Sequence, residues 1–230
     1  MKIAIDGPAG AGKSSVAKGV AKAMNAIYID TGAMYRAMAI YILRTGTDIT
    51  DAEAVAETAE QADVTITYEE GSQHVWLNGE DVTAHLREEA VGNMASAVSG
   101  NARLRAHLVR TQQKLAESCD VVMDGRDIGT VVLPNADVKV FLTASSEKRA
   151  ERRFLQDHEG KTESMTPEEK AAEIERIRLD IEERDQRDMN REASPLRQAD
   201  DAVLLDSSEL SIEEVIEIIC SLADEEKSRR

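Results

Sequence analysis

The stretch Gly7-Pro8-Ala9-Gly10-Ala11-Gly12-Lys13-Ser14 decides the fold of this 230-residue chain. It matches the pattern G-x-x-x-x-G-K-[ST], a loop that cradles phosphate groups. Residues 2–6 before it form a short apolar run typical of a buried parallel strand, and residues 14–24 after it carry apolar side chains at helical spacing. Strand, glycine-rich turn and helix follow in the order that this motif requires, so the sequence predicts a phosphate-binding site here.

The glycines of this loop allow backbone N–H groups to surround phosphate oxygens, and the helix that follows adds a favourable dipole. We expect Lys13 to reach the β- and γ-phosphates of a nucleotide and the Ser14 hydroxyl to bind Mg²⁺. The predicted ATP-binding residues are Gly7, Pro8, Ala9, Gly10, Ala11, Gly12, Lys13, Ser14, Ser15 and, from a later helix, Arg153.

The composition limits the classes of partner. Asp and Glu number 44 against 28 Lys and Arg, a net charge of −16, so we expect no binding to nucleic acid or to an anionic membrane through the overall field. Any anionic ligand must instead meet a local cluster of cations. The sequence has no apolar run long enough to span a membrane, and because Met1 leads directly into the predicted first strand we expect no signal peptide. Two distant cysteines, Cys119 and Cys220, are interpreted as buried, reduced thiols of a cytoplasmic protein.

Strands alternate with helices along most of the chain, which predicts an α/β fold with a parallel sheet of about five strands flanked by helices. Between Val64 and Val82 the pattern changes to that of a small antiparallel sheet, with a tight turn at Asn78-Gly79. Ligands of parallel sheets bind beyond the carboxyl ends of the strands. Asp6, Asp30 and Asp124 fall at such ends, and their convergence with the phosphate loop favours a site there.

Three helix starts can be predicted from capping residues. Two segments have the form of a capping box, and a third places proline in the first turn of a long helix; they are Thr50-x-x-Glu53, Ser211-x-x-Glu214 and Thr166-Pro167. The polar residues before Thr166 predict a flexible loop. Arg149, Arg152 and Arg153 precede this loop and are interpreted either as cations of a mobile lid or as a solvated surface.

Arginines are concentrated in the second half of this acidic chain, with ten of eighteen between Arg126 and Arg197. On one predicted helix the apolar face formed by Ile174, Ile177 and Ile181 continues at the same spacing as Arg184, Asp188 and Arg191. This charged face is either a solvated helix end or a set of arginines directed at phosphates and held by a carboxylate. The patterns N-K-x-D and L-S-G-G-Q do not occur, which disfavours guanine-specific switch proteins and transporter-type ATPases.

Four segments together resemble the bacterial cytidylate kinases. They are residues 7–14, Asp30-Thr31-Gly32-Ala33-Met34-Tyr35-Arg36, Asp124-Gly125-Arg126-Asp127-Ile128-Gly129-Thr130, and Arg184-Asp185-Gln186-Arg187-Asp188-Met189-Asn190-Arg191. The resemblance runs in order over nearly the whole chain, and the antiparallel patch resembles the insert of that family. One departure is Thr31, where serine is also familiar; the hydroxyl is kept.

The resemblance implies transfer of the ATP γ-phosphoryl group to CMP or dCMP, with Mg²⁺ as cofactor. It implies that the acceptor phosphate is held by Arg36, Arg126 and Arg191, the cytosine by Ser96, Arg105 and Asp127, and the sugar by Arg184 and Asp188, with Thr31 and Tyr35 lining the pocket. The implied catalytic residues are Lys13, Arg126, Arg184 and Arg191. Ser14 would bind Mg²⁺ directly and Asp124 through water. Asp127 has a second interpretation, in which it only anchors Arg126.

The implied organisation is a single monomeric kinase unit over residues 1–230, of the P-loop NTPase type. Its core is residues 1–30, 100–156 and 192–225, its monophosphate-binding region is residues 31–99 with the β insert at 62–83, and its lid loop is residues 157–166. Two alternatives stay open: a kinase with UMP or AMP as acceptor, and a regulatory module that binds ATP without phosphoryl transfer. Lys13, Ser14 and the acceptor-side arginines argue against the second.

Overall fold

A computed structural model describes residues 1–69, 72–117, 119–158 and 165–229. The strands are β1 (Lys2–Asp6), β2 (Ile27–Asp30), β3 (Val64–Glu69), β4 (Ser72–Leu77), β5 (Glu80–Asp81), β6 (Val121–Gly125), β7 (Val138–Thr143) and β8 (Val203–Asp206). The α-helices are α1 (Lys13–Met24), α2 (Thr31–Thr45), α3 (Ala52–Glu60), α4 (Glu89–Val98), α5 (Ala102–Glu117), α6 (Ser146–Asp157), α7 (Pro167–Asn190) and α8 (Ile212–Ser228). Short helical turns cover Thr83–His85 and Ile128–Val132.

Five strands form one parallel sheet in the order β2-β6-β1-β7-β8. Strand β6 is buried along its whole length because helices cover both faces of the sheet, as its unbroken apolar start Val121-Val122-Met123 indicates. One apolar core joins the sheet to α2–α5, and a second joins it to α1 and α8. The predicted α/β fold with a flanked parallel sheet is confirmed.

Helices α6 and α7 pack against each other around a small apolar core of their own. It consists of Ala150, Phe154, Ile177 and Ile181, all at most 7% exposed. Each large side chain buried in this way contributes about 1.5–3 kcal/mol. This pairing directs the charged end of α7 back toward the carboxyl edge of the parallel sheet.

The β insert is a three-stranded antiparallel sheet in the order β3-β4-β5. Asn78 and Gly79 take φ values of 51° and 83°, which the predicted tight turn between β4 and β5 requires. Two hydrogen bonds join the insert to β2: the Tyr68 hydroxyl donates to the Tyr28 carbonyl (2.5 Å), and the Asp30 N–H donates to Gln73 Oε1 (2.9 Å). The division into core and monophosphate-binding region stays a prediction.

Two of the three predicted helix starts are confirmed, with Thr166–Glu169 and Ser211–Glu214 forming capping boxes. The prediction at Thr50 was wrong. There Asp51 caps α3, its carboxylate accepting from the N–H groups of residues 53 and 54. An ionised carboxylate also interacts favourably with the helix dipole, which a threonine hydroxyl does not.

Residues 159–164 of the predicted lid loop lie outside the described residues, with Asp157 ending α6 and Thr166 capping α7. Within the described ranges, every helix is too short or too polar to cross a bilayer.

Candidate active site

The phosphate loop connects β1 to α1 and takes its shape from glycine. At Gly7 an added Cβ would collide with the carbonyl of Leu142 on the neighbouring strand β7. Gly12 is the N-cap of α1 with φ of 85°, and no side chain of the described residues caps this helix start. The first N–H groups of α1 therefore remain available to phosphate oxygens, which is the arrangement that the motif predicts.

Lys13 lies at the floor of this loop, with only 6% of its surface exposed. Its ammonium donates to the Pro8 carbonyl at 2.6 Å. Burial lowers the pKa of Lys13, and the nearby charges of Arg126 and Arg184 lower it further. An anionic ligand placed among these three cations would favour their charged forms.

Asp124, at the end of β6, receives two hydroxyl groups. Ser14 Oγ donates to Asp124 Oδ2 and the Tyr28 hydroxyl donates to Asp124 Oδ1, both at 2.8 Å. Burial, together with the charge of Asp30, raises the pKa of Asp124, and the Lys13 charge opposes this. A hydroxyl beside a carboxylate at a phosphate loop is a set of hard oxygen ligands that fits Mg²⁺, which keeps several waters and takes other ligands from phosphates. The described residues contain no cluster of three or more His, Cys, Asp or Glu able to hold a metal.

Asp188 on α7 holds two of the predicted phosphate-binding arginines. Its Oδ2 accepts from Arg126 Nε at 2.8 Å, and its Oδ1 lies 3.8 Å from Arg191 Nη1. Burial alone would raise the pKa of Asp188, but the charges of both arginines outweigh it and lower the pKa. The carboxylate thus stays ionised and sets the direction of both guanidinium groups.

Two further arginines complete the positive cluster. Burial, and then repulsion from Arg126, lower the pKa of Arg184 to about 10. Arg36 donates to Asp30 Oδ2 at 2.9 Å, while Asp30 Oδ1 accepts from the Ala33 N–H and caps α2. The cluster therefore contains more cations than the neighbouring carboxylates neutralise, as a site for an anion requires.

Several buried polar atoms around this cluster have no protein partner. They are Arg36 Nε, Arg184 Nε, Arg191 Nη2, Arg105 Nε, the Tyr35 hydroxyl and Ser96 Oγ. Buried donors are almost always hydrogen-bonded in folded proteins, so a group of them marks a place where ligand or water supplies the partner. These six belong to the residues that the resemblance assigns to the acceptor; a seventh unpartnered buried atom among the described residues, Gln112 Nε2 on α5, does not.

Arg105 and Asp127 form an ion pair that is 95% buried on both sides, at the predicted base pocket. Arg105 also donates to the Ser99 carbonyl at 2.9 Å, and its guanidinium lies 5.2 Å from the centre of the Tyr35 ring. The second interpretation of Asp127, as an anchor for Arg126, does not match this geometry, because Arg126 is held by Asp188 instead. The pocket thus presents aligned donors and acceptors beside an aromatic face.

Two predicted residues have neighbours that the sequence did not indicate. The Thr31 hydroxyl donates to the Asp124 carbonyl at 2.7 Å and is buried, so it joins the start of α2 to β6. Arg153 is 55% exposed and pairs with Asp157 along α6. Arg149, one turn earlier, is the arginine of α6 that contacts the phosphate loop, donating to the Ala9 carbonyl at 3.0 Å.

Sequence reasoning missed three side chains that contact the site. Tyr28 binds Asp124, Gln73 binds the backbone at Asp30, and Asp185 binds Arg149 and the phosphate loop. Only Asp185 carried a usable signal, because it lies four residues after Ile181 and therefore shares the buried face of α7.

Comparison with known proteins identifies a family for this chain. The profile described as cytidylate kinase matches residues 3–225. The chain is 46% identical over 224 residues to the cytidylate kinase of Caldicellulosiruptor saccharolyticus, covering 96% of this chain and 95% of that protein. It is 47% identical over 228 residues to the cytidylate kinase of Bacillus licheniformis, and the match covers 99% of this chain and 97% of that protein. The crystal structure of an uncharacterized protein from Eubacterium ventriosum is similar in fold alone, with a TM-score of 0.50, 12% identity and 98% coverage of both chains. By this profile match and these identities, the chain belongs to the cytidylate kinase family.

Proposed function

We propose that this protein transfers the γ-phosphoryl group of ATP to CMP or dCMP, giving CDP or dCDP and ADP. One observation carries the proposal. The phosphate loop and the arginine cluster meet at the same edge of the sheet: Asp185 of α7 accepts from the Ala9 N–H in the loop, and Asp188, three residues later, accepts from Arg126 Nε. A donor phosphate on the loop and an acceptor phosphate on the arginines would therefore face each other.

The chemistry needs positioning and charge neutralisation more than a general base. Both reactants are anions, and the acceptor oxygen is already ionised at neutral pH. Lys13 stabilises the charge on the transferring group, while Arg126 and Arg191, oriented by Asp188, hold the acceptor phosphate. Arg184 supplies a further buried positive charge between the phosphate loop, which binds the donor, and the arginines that hold the acceptor.

The proposed cofactor is Mg²⁺, which neutralises charge on the donor phosphates when bound. Ser14 would bind it directly and Asp124 through water. In the structure Tyr28 holds the second oxygen of Asp124, so the carboxylate keeps its orientation toward Ser14.

Base choice is assigned to the pocket of Arg105 and Asp127. Cytosine presents an amino donor at N4 where uracil presents a carbonyl oxygen. A carboxylate can accept from the amino group and repels the carbonyl, so the pocket favours cytosine by attraction and by repulsion. Ser96 and Tyr35, whose hydroxyls lack protein partners, are the further groups proposed to contact the acceptor.

We further propose that the enzyme acts in the cytoplasm as a monomer. Both cysteines are free, as a reducing compartment allows, although they are only partly buried and the predicted full burial was wrong.

The test is a panel of CMP, dCMP, UMP and AMP with ATP and Mg²⁺, followed by ADP release. We expect kcat/KM for CMP or dCMP to exceed that for UMP and AMP by about tenfold or more. A preference for UMP or AMP would instead identify a different monophosphate kinase. ADP release that no acceptor increases would refute phosphoryl transfer to a nucleotide.

A further inference from the structure

Both backbone polar groups of Ala9, in the middle of the phosphate loop, are bound by one pair of side chains. Its N–H donates to Asp185 Oδ1 at 3.3 Å, and its carbonyl accepts from Arg149 Nη1 at 3.0 Å. The same Nη1 donates to Asp185 Oδ2 at 2.5 Å, which closes a ring of three hydrogen bonds. We call this arrangement of Ala9, Asp185 and Arg149 the loop clamp.

The clamp is buried and closely packed. Asp185 and Arg149 are 8% and 7% exposed, and Arg149 Nε donates to the Ala144 carbonyl at 2.9 Å. Gly10, which has φ of 75°, packs directly on α6: a Cβ added there would lie 3.2 Å from Arg149 Cβ. The left-handed turn at Gly10 thus rests against the clamp, so the clamp supports the loop where its backbone changes direction.

The clamp is also fixed from the side of the helices. Arg149 lies on α6 and Asp185 on α7, and the apolar core between these helices includes Ile181, one turn before Asp185. A side chain held by packing and by charged hydrogen bonds keeps one orientation, as a positioning group requires.

We propose that Asp185 is a positioning residue for ATP, acting through Arg149 and the Ala9 peptide to hold the phosphate loop in its binding shape. This inference rests on the proposed function and deepens it. Two carboxylates of α7, three residues apart, then serve opposite sides of the reaction. Asp185 supports the donor loop, whereas Asp188 orients the acceptor arginines.

The experiment measures binding of ATP with Mg²⁺ and, separately, binding of CMP by calorimetry, each without the other substrate. For Asp185→Ala we expect the Kd of ATP to rise about tenfold or more, while the Kd of CMP stays within about twofold of the parent. Asp185→Asn keeps an oxygen that can accept from the Ala9 N–H, so we expect it to recover part of the ATP affinity.

Glu182→Gln is the matched control. Glu182 also joins α6 to α7, accepting from Ser146 Oγ at 2.8 Å and from Arg178 Nη1 at 2.5 Å, but its bonds do not involve the phosphate loop. We expect the Kd of ATP and that of CMP to match the parent in this variant.

Three results would overturn the positioning role. One is an Asp185→Ala protein that is folded and binds ATP like the parent. Another is an equal loss of ATP and CMP affinity, which would indicate that Asp185 only stabilises the helix pair. If the alanine variant does not fold, unchanged ATP affinity in Asp185→Asn refutes the proposal. A parent protein that binds ATP without phosphorylating CMP would count against the proposed function and not against the clamp.

Discussion

At the scale of single residues, the site depends on a few carboxylates that hold a larger number of cations. Asp188 contacts Arg126 and Arg191, and Asp127 contacts Arg105. Buried ion pairs recover their desolvation cost only when geometry and further hydrogen bonds are good. Here the unpartnered arginine nitrogens leave part of that cost uncompensated until an anion binds. Removing one of the excess cations should therefore change ligand affinity and rate more than stability, whereas removing a carboxylate leaves a buried arginine unpaired and also lowers stability.

Replacing Lys13 with methionine tests the phosphate loop. The substitution keeps most of the buried volume and removes the charge beside the transferring group. We expect kcat to fall by about 10²–10³-fold or more, since the lost group stabilises charge that develops in the transition state. Steady-state assay with CMP and ATP measures this, and the Tm should stay within about 4 °C of the parent. A folded variant with near-normal kcat would show that Lys13 has another role.

Replacing Asp127 with asparagine tests base choice. Its amide NH₂ can donate to the O4 of uracil, whereas the carboxylate accepts from the cytosine amino group. We expect the ratio of kcat/KM for CMP to that for UMP to fall. The fall should correspond to about 1–3 kcal/mol of transition-state discrimination and should come mostly from loss of CMP activity.

Asp188→Asn is the control for this selectivity. Asp188 contacts the phosphate-side arginines, so its loss should reduce activity on CMP and UMP in equal proportion. An unchanged ratio in Asp127→Asn would remove Asp127 from base recognition and leave it only as the partner of Arg105.

At the scale of elements, the turn after β6 is fixed by the end of β1. Asp6 accepts hydrogen bonds from the N–H groups of Ile128 and Gly129, both at 2.7 Å. Burial raises the pKa of Asp6 to about 6, although these two hydrogen bonds lower it. The turn that carries Arg126 and Asp127 is therefore attached to the strand that precedes the phosphate loop.

The raised pKa of Asp6 predicts a pH dependence of stability. The Asp6 carboxyl binds its proton more tightly in the folded state than in the unfolded chain. Protonated Asp6 therefore makes its full contribution to the free energy of unfolding below about pH 4, and this contribution is lost as pH rises through about 6. Relative to Asp6→Asn, which does not titrate, the free energy of unfolding of the parent should fall by about 2–3 kcal/mol from pH 4 to pH 7.

Urea unfolding of both proteins at several pH values measures this difference. The asparagine variant has its own constant cost, because one amide oxygen cannot accept both N–H groups as the carboxylate does. Only the change with pH is therefore informative. A difference that is flat, or that favours the parent more at higher pH, would contradict the raised pKa.

At the scale of the whole molecule, an acidic protein surrounds a basic site. The net charge is −16, yet Lys13 and the arginines of the acceptor site are gathered at one edge of the sheet. Acceptor binding should therefore stabilise the fold, because it supplies partners for buried cations. At a concentration of about 100 Kd the gain is about 2.7 kcal/mol, which raises the Tm of a chain of this size by about 5–10 °C.

Thermal unfolding with CMP, with UMP at equal concentration and with sodium chloride at matched ionic strength tests this expectation. CMP should give the largest increase in Tm, and the salt should give little. Equal increases with CMP and with salt would mean that the cluster responds to ionic strength and does not bind the nucleotide specifically.

The elements that could be predicted from the sequence are those whose causes are local. The strand, turn and helix around the phosphate loop follow from residues 2–24, and the capping boxes at Thr166 and Ser211 each lie within four residues. The face of α7 that changes from apolar to charged follows from the spacing of its residues, because side chains three and four residues apart lie on the same side of a helix. Even local reasoning failed at α3, where Asp51 and Thr50 compete for one cap.

Tertiary structure alone decided which carboxylate contacts which arginine or backbone group. Asp188 reaches Arg126 across 62 residues of sequence, and Asp185 reaches Ala9 across 176. Spacing along α7 indicates the side that these carboxylates occupy, but the packing of α6 and α7 against the sheet determines what lies opposite. The sequence by itself therefore determined the phosphate loop, the alternating α/β order and the set of candidate arginines. The pairing of those arginines, and the clamp on the loop, arise only when distant segments fold together, because such contacts depend on long-range packing.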